Sequence, residues 1–395
     1  LIENVAANLP RIDYTDGTGH ILLEPQSTNV TRNSEQPSTW HTSNGVTITS
    51  NATTSPEGTS NASLVVVNAT TGQRYARNLA VFTSGSGTEP ELVTVTLSCF
   101  LKYYNNQWVR LKSNFFTGSP ANGESSFFDI QNGLIGTVGS NQTAKIENYG
   151  NGWYRCSITF DIDKYQDYGG YIIVEFAPSD NSSGFAAIGQ GGYAFGSQGE
   201  ELSFMTSYIP TSGSTVTRLA DACTGAGNTD LIESSEGVLY AEIAALSNTA
   251  DNSKFIAISD GTYDNRASIL FSNGSTNQIR FFLRVGGVSQ VDKTTNVTDV
   301  TDFNKVAFSY KENDFKVYIN GSLVASDTSG SVWSANTITG LSFSEINTSA
   351  GLFNGKVKSV TVFKEALNDL ILETLTGGGY GSFDELAQAQ GYTVI

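Results

Sequence analysis

Few side chains in this sequence are spaced for catalysis. Glycoside hydrolysis needs two carboxyl groups flanking the scissile bond. The nearest arrangement is Glu236 and Glu242 at the ends of the segment EGVLYAE, and acids that solubilise strand ends explain this wide spacing better. His20 and His41 have no serine or cysteine in a recognisable nucleophile setting. Cysteine and histidine spacings also match no zinc pattern. The residues therefore predict a protein that is not an enzyme.

Two acidic segments, DIDKYQD and SDGTYDNR, offer the oxygen ligands that calcium prefers. The candidate ligands are Asp161, Asp163, Asp167, Asp260, Asp264 and Asn265. Neither segment has the glycine and glutamate spacing of an EF-hand loop, and solvated turn acids are the alternative. Calcium is thus the one cofactor that the sequence suggests.

Aromatic residues in loops are the candidate glycan-binding residues, because sugars are held by rings that stack on their C–H faces. They are Trp333 in SGSVWSAN, Trp108 with Tyr103 and Tyr104 across a predicted hairpin, and Tyr165 and Tyr168 in KYQDYGGY. Cross-strand aromatic pairs that pack hairpins are the alternative interpretation.

Charge and composition exclude several classes of partner. The formal net charge is −16, from 38 acidic and 22 basic residues, and no basic cluster could release counterions from nucleic acid. No apolar run approaches the length of a membrane span. Cys99, Cys156 and Cys223 cannot make a complete disulfide framework. Alternation places Cys99 and Cys156 on the apolar faces of strands, which predicts buried free thiols.

Short alternating segments bounded by Gly, Asn and Ser predict an all-β chain of antiparallel sandwiches. The segment 208–221, YIPTSGSTVTRLAD, interrupts the pattern and predicts a domain boundary. In DFKVYINGSLVAS, Asn320 and Gly321 predict a tight hairpin turn. Helical periodicity appears only near the end, at Leu367, Leu370, Ile371 and Leu375 and again after Ser382, and predicts short C-terminal helices.

The segments NKVAFSYKENDFKVYINGSLVAS and FNGKVKSVTVFKEALNDLILETLT resemble the laminin-G-like, concanavalin A-type lectin/glucanase fold. This superfamily includes lectins, adhesion modules and hydrolases, so the resemblance implies a fold more firmly than an activity. The closely spaced acidic motif of the glucanases, Glu-x-Asp-x-x-Glu, is missing from the sequence.

The segments LPRIDYTDGTGHILLEPQSTNV, YGNGWYRCSITF and TSYIPTSGSTVTRLAD are similar to phrases in bacteriophage tail-fibre and head-fibre proteins. Such proteins carry a jelly-roll, carbohydrate-binding-module-like domain before a laminin-G-like one. The resemblance implies an N-terminal strap at 1–35, a jelly roll at 36–215, a laminin-G-like domain at 222–376 and a helical tail at 377–395.

These observations predict a non-catalytic fibre module on the virion surface, outside the cell, that adheres to bacterial surface glycans. Its other expected partners are virion proteins and further copies of the chain, with a trimer as the first expectation. A structural decoration or fibre-assembly protein without glycan binding is the main alternative. A polysaccharide hydrolase or lyase ranks third.

Overall fold

The protein is described here by a computed structural model. The described residues are 9–14, 17–82, 92–116, 118–165, 169–223, 225–248, 254–271, 274–346, 351–377 and 388. They form two units. The first comprises the described part of 26–219, and the second comprises the described parts of 9–25 and 220–377. The second unit is therefore built from two separate stretches of sequence.

The strand pairings are antiparallel, as the alternating pattern predicts, and strand lengths run from two to 12 residues. Two strands precede the first unit in sequence: β1 Arg11–Asp13 and β2 His20–Leu23. The first unit contains β3 Ser27–Asn29, β4 Thr42–Asn44, β5 Val46–Thr53, β6 Ala62–Val67, β7 Tyr75–Val81, β8 Leu92–Tyr103, β9 Trp108–Asn114, β10 Ser125–Asp129, β11 Leu134–Ile135, β12 Thr143–Asn148, β13 Trp153–Asp163, β14 Gly169–Ala177, β15 Gly191–Glu200 and β16 Val216–Arg218.

The second unit ends with one described helix. Its remaining elements are β17 Glu236–Ala245, β18 Lys254–Ser259, β19 Arg266–Phe271, β20 Gln278–Val285, β21 Val288–Asn296, β22 Asn304–Lys311, β23 Asp314–Ile319, β24 Ser322–Asp327, β25 Gly340–Ser342, β26 Gly355–Phe363 and α1 Asp369–Gly377. No helix in the described ranges is long and apolar enough to cross a membrane.

The first unit is a sandwich of two six-stranded sheets, ordered β11-β10-β9-β14-β7-β4 and β12-β13-β8-β15-β6-β5. Alternate residues of facing strands fill the space between them, including Leu97 and Cys99 of β8 and Leu111 of β9. Cys99 and Cys156 lie opposite each other in register as buried free thiols, which confirms the predicted placement of both.

The second unit is a sandwich of a seven-stranded sheet, β1-β2-β26-β17-β22-β23-β24, and a five-stranded sheet, β21-β20-β19-β18-β25. Its core includes Ile269 and Phe281 from one sheet and Phe308 and Val317 from the other. The turn between β23 and β24 has positive φ angles at Asn320 and Gly321, as predicted. The prediction of two tandem antiparallel sandwiches is thus confirmed.

The two ends of the chain depart from a simple tandem arrangement. The strap predicted at 1–35 is divided: strands β1 and β2 extend the sheet of the second unit, whereas 26–35 belong to the first. In α1, Leu372 and Leu375 are buried but Leu370 is exposed, so the predicted apolar face is wrong at that position. The second predicted helix and almost all of the tail fall outside the described residues.

Candidate functional site

Each sandwich has one outer sheet face that its own chain covers. In the first unit, Phe100, Trp153 and Phe195 form a small cluster on the outer face of the β8 sheet, where Tyr208 packs edge-on against Phe100 at 5.6 Å. In the second unit, α1 covers the seven-stranded sheet through Leu372 and Leu375. The opposite faces lie on the five-stranded sheet and on the β9 sheet, where Arg110 and Glu175 are buried but other side chains reach the surface.

A groove of about 320 Å³ lies on the outer face of the five-stranded sheet. It is lined by Phe255, Arg266, Leu270, Arg280, Phe282, Arg284, Ser289, Asp292 and Glu345. Strand alternation explains this set, because Ile279, Phe281 and Leu283 face the core and their neighbours on β20 must face outward. We call this surface the arginine groove.

One aromatic ring organises the arginine groove. The guanidinium carbons of Arg266, Arg280 and Arg284 lie 5.0, 5.4 and 5.4 Å from the ring centroid of Phe282. Such contacts are attractive because the ring face is electron-rich. The groove therefore combines three charged donor groups with the partly exposed ring of Phe255, and the buried Leu270 lies at its base.

Two carboxylates neutralise part of this charge. Arg280 donates through Nε and Nη2 to the two oxygens of Asp292, at 2.7 and 2.6 Å, and these hydrogen bonds raise the pKa of Arg280. Arg266 donates through Nη2 to Glu345 Oε1 at 2.9 Å. Burial lowers the pKa of Arg266; the charge of Glu345 opposes this change, and the nearby charge of Arg284 adds to it. The groove thus retains more positive than negative charge.

The outer face of the β9 sheet in the first unit carries a second group of aromatic and arginine side chains. Arg77 of β7 lies over the rings of Tyr171, Tyr75 and Phe115 at 4.2, 5.0 and 5.6 Å. His41 and Phe115 pack against Tyr171 with centroids 5.2 and 5.4 Å away. Phe115 is 51% exposed. We call these five residues the aromatic platform, in which His41 and Phe115 are exposed, Arg77 and Tyr171 are partly exposed, and Tyr75 is buried beneath Arg77.

Trp333 does not lie on a binding surface, which corrects the sequence-based expectation. It is 2% exposed, packs edge-on against Tyr310 at 5.5 Å and donates from Nε1 to the carbonyl of Arg284 at 2.7 Å. A polar segment, SGSVWSAN, suggested an exposed loop, but its tryptophan turns inward to fill the core.

The structure places the other described aromatic candidates on separate elements. Strands β8 and β9 belong to different sheets, so Trp108 and Tyr103 do not face each other across a hairpin. Tyr103 and Tyr104 are 37% and 45% exposed, and Tyr104 packs edge-on against Tyr193. Tyr165 is exposed in the turn after β13. Tyr168 lies outside the described residues.

The candidate calcium ligands mainly hold loops. Asp260 accepts hydrogen bonds from Thr262 and from Asn265 Nδ2, and these bonds lower its pKa against the opposing effect of burial. Asn265 Oδ1 accepts from the backbone of Gly286, while the backbone carbonyl of Asp264 accepts from Gly287. Within the ranges that the structure describes, no three His, Cys, Asp or Glu side chains form a metal-binding group.

The first acidic segment is only partly described. Asp161 accepts from Thr94 Oγ1 at 2.6 Å, and Asp163 accepts from the backbone of Tyr165 at 3.0 Å. Asp167 lies outside the described residues. A calcium site in this segment stays a prediction.

A local sequence pattern indicates the arginine groove, although the acidic overall composition gives no sign of it. In the segment QIRFFLRV, Arg280, Phe282 and Arg284 stand at alternate positions, so they share one strand face while Ile279, Phe281 and Leu283 share the other. Local spacing does not show that Arg266 joins this group, because Arg266 lies on β19 and is placed opposite Arg284 only by the register of the β19–β20 pair. The aromatic platform is similarly assembled from two strands, β7 and β14, and from the loop residues next to β4 and β9.

Comparison with known proteins supports the fold of the second unit. Residues 230–370 match the family described as the concanavalin A-like lectin/glucanases superfamily, under the name Laminin_G_3. This match confirms the expected concanavalin A-like domain. A search of curated proteins finds no match to the chain.

Similar solved structures include carbohydrate-binding domains and an enzyme. The CBM40 of a Ruminococcus gnavus IT-sialidase bound to α2,3-sialyllactose is 16% identical, with a TM-score of 0.31 over 40% of this chain and 97% of that one. Domain 4 of the Geobacillus stearothermophilus arabinanase AbnA, in complex with arabinotriose, is 15% identical, with a TM-score of 0.30 over 41% and 73%. A variant of the Streptococcus pneumoniae NanB sialidase is 17% identical, with a TM-score of 0.31 over 37% and 24%.

Proposed function

We propose that this chain is a non-catalytic glycan-binding protein whose main binding surface is the arginine groove. The groove itself carries the proposal: it is a concave sheet face in a concanavalin A-like domain, with aromatic and aliphatic walls and convergent hydrogen-bond donors. A volume of about 320 Å³ suits a short stretch of glycan. The aromatic platform offers a second surface of similar composition on the other unit.

The carboxylates of the groove support binding over hydrolysis. Glycoside hydrolysis needs one carboxyl group that can protonate the leaving oxygen and a second that acts as nucleophile or base. Asp292 and Glu345 are both engaged by arginines instead. A polysaccharide hydrolase or lyase would need a catalytic acid other than Asp292 or Glu345.

The proposed setting is a bacteriophage fibre that carries these surfaces to a bacterial polysaccharide. The fibre-like phrases in the first unit and at the boundary between the units support this setting. Weak single sites suit a fibre, since many copies on one particle raise the overall affinity through avidity. Virion proteins and further copies of this chain are the partners that such a fibre requires.

Binding of the full chain to an array of bacterial surface polysaccharides tests the proposal. We expect binding that Phe282→Ala reduces, because the ring holds the three guanidinium groups. Leu323→Ala is a matched control: the Leu323 side chain is 51% exposed, and its strand, β24, lies in the seven-stranded sheet and not in the sheet of the groove. A chain that binds no polysaccharide and does not compete with phage adsorption would contradict the proposal. Release of new reducing ends from a bound polysaccharide would contradict the non-catalytic part.

A further inference from the structure

Two arginines of the groove lie directly opposite each other in neighbouring strands. The register of β19 and β20 pairs Arg266 with Arg284. Like charges at directly opposed positions of an antiparallel sheet destabilise the pairing. The protein has only 22 basic residues among 395, so this close pair on a chain of net charge −16 is an unusual local concentration of positive charge.

The carboxylates of the groove leave one of these arginines unneutralised. Asp292 makes two hydrogen bonds to Arg280, and Glu345 pairs with Arg266. Among the residues that the structure describes, the guanidinium of Arg284 has no carboxylate partner. Its Nε is buried and has no hydrogen-bond partner there, and the same is true of Arg266 Nε. A buried donor without a partner requires an explanation, and an ion or water at that place is one of them.

The arginines are also held in place before any ligand binds. Phe282 contacts all three guanidinium groups, and the backbone carbonyl of Tyr263 accepts a hydrogen bond from Arg266. Groups that are already ordered lose less conformational entropy on binding. A guanidinium presents its N–H groups in a planar fork that matches a carboxylate.

We infer that the arginine groove selects acidic glycans and binds the carboxylate of a uronic or sialic acid residue between Arg284 and Arg266. The anion supplies the missing negative charge, and the partly exposed ring of Phe255 offers apolar surface to the C–H groups of the same sugar. This inference rests on the proposed function, because it names the class of glycan that the groove takes.

Paired probes that differ only in charge test the inference on the full chain. Oligogalacturonides would be compared with their methyl esters, and sialyllactose with lactose, by isothermal titration calorimetry. We expect the acidic member of at least one pair to bind about tenfold or more tightly, since a charged hydrogen-bonded pair contributes roughly 1.5–3 kcal/mol. Its affinity should fall as salt rises from about 50 to about 500 mM, because the exposed mouth of the groove is screened.

Arg284→Gln is the decisive variant. It should reduce binding of the acidic probe to the level of the neutral one, while the free energy of unfolding stays unchanged or rises, because the opposed pair with Arg266 is relieved. If Arg284 had only a structural role, its substitution would lower the free energy of unfolding instead. Arg32→Gln is the matched control, since Arg32 is an exposed arginine of the first unit, and it should leave both quantities unchanged.

The outcomes separate this inference from the proposed function. Equal binding of acidic and neutral probes, or an Arg284→Gln variant that keeps its preference, overturns the acidic selectivity and leaves glycan binding intact. Equal affinity for a sulfated lactose overturns the choice of a carboxylate. Failure of every acidic and neutral glycan to bind, on the bacterial polysaccharide array as well, defeats the proposed function itself.

Discussion

Phe115 combines an exposed ring with a backbone conformation that its side chain disfavours. Its φ is +69°, in the left-handed region, and the ring is 51% exposed beside Tyr171. Strained residues of this kind collect at functional sites. Phe115→Gly should therefore be more stable than Phe115→Ala by about 1 kcal/mol, because only glycine adopts this φ without cost. Urea unfolding of the two variants measures the difference, and an alanine variant of equal or greater stability would contradict it.

Trp333 is a structural residue, and its removal should affect stability. Trp333→Phe deletes the N–H that donates to the partly buried carbonyl of Arg284 and shrinks a ring that fills the core. We expect the free energy of unfolding to fall by about 1–3 kcal/mol, as measured by circular dichroism in urea. Trp108→Phe is the matched control, since no hydrogen bond from the Trp108 indole is found among the described residues, and it should cost less than Trp333→Phe. Equal losses would argue against the buried placement of Trp333.

Burial also makes the paired thiols inert. It raises the pKa of Cys99 from its ordinary value of 9.0 to about 12, and that of Cys156 well above its ordinary range. Burial raises the pKa of Cys223 as well, but this thiol is only half-buried and a reagent can reach it. At about pH 8 a maleimide should therefore label Cys223 of the native chain and spare the other two, because the thiolate is the reactive form. Mass spectrometry of labelled peptides checks this, and native labelling of Cys99 would contradict it.

The same shift has a consequence for stability at high pH. A group whose pKa is raised by folding contributes stability that is complete below its unfolded pKa and is lost as pH rises through the folded one. For Cys99 that window runs from 9.0 to about 12. Unfolding in urea should therefore become easier across this range, and less steeply so in Cys99→Ala.

At the scale of elements, the sequence predicts features that depend on neighbouring residues better than it predicts pairings between distant strands. The β23–β24 hairpin was predictable because alternation and an Asn-Gly turn are both local signals. Strands β1 and β2 were not, because they are only three and four residues long and β2 pairs with β26 at the other end of the sequence. The groove follows the same rule: β20 shows its alternating arginines, but the opposition of Arg266 and Arg284 depends on a register that sequence spacing alone does not determine.

The β23–β24 turn is also a contact point for α1. Gly321 has φ +83°, its N–H donates to Thr376 Oγ1, and an added Cβ would lie 2.9 Å from Gly377 Cα. Gly321→Ala should cost more than the roughly 1 kcal/mol of an unfavourable φ alone. Gly286→Ala separates the two effects, because Gly286 also has positive φ but has open space around it. Equal losses of unfolding free energy in the two variants would show that the turn does not pack on the helix.

At the scale of the whole molecule, the first unit is inserted into the sequence of the second. Within the second unit, the backbone N–H of Asp221 donates to the carbonyl of Glu24 at 2.9 Å, and Arg11 bridges the carboxylates of both residues. Within the first unit, β3 pairs with β16, so its first and last strands are neighbours. In each unit, therefore, the two segments that flank a chain crossing are hydrogen-bonded to each other.

This insertion predicts which fragments fold. A polypeptide that joins 7–25 to 220–377 through a short glycine linker should fold, because Glu24 and Asp221 are already hydrogen-bonded neighbours. The fragment 220–377 alone should be less stable, since it exposes the edge of β26 and loses the buried Leu23. Thermal unfolding and size-exclusion chromatography compare the two, with 26–219 as the complementary fragment. Equal stability with and without 7–25 would mean that β1 and β2 contribute nothing to the sandwich, and the groove could then be studied on 220–377 alone.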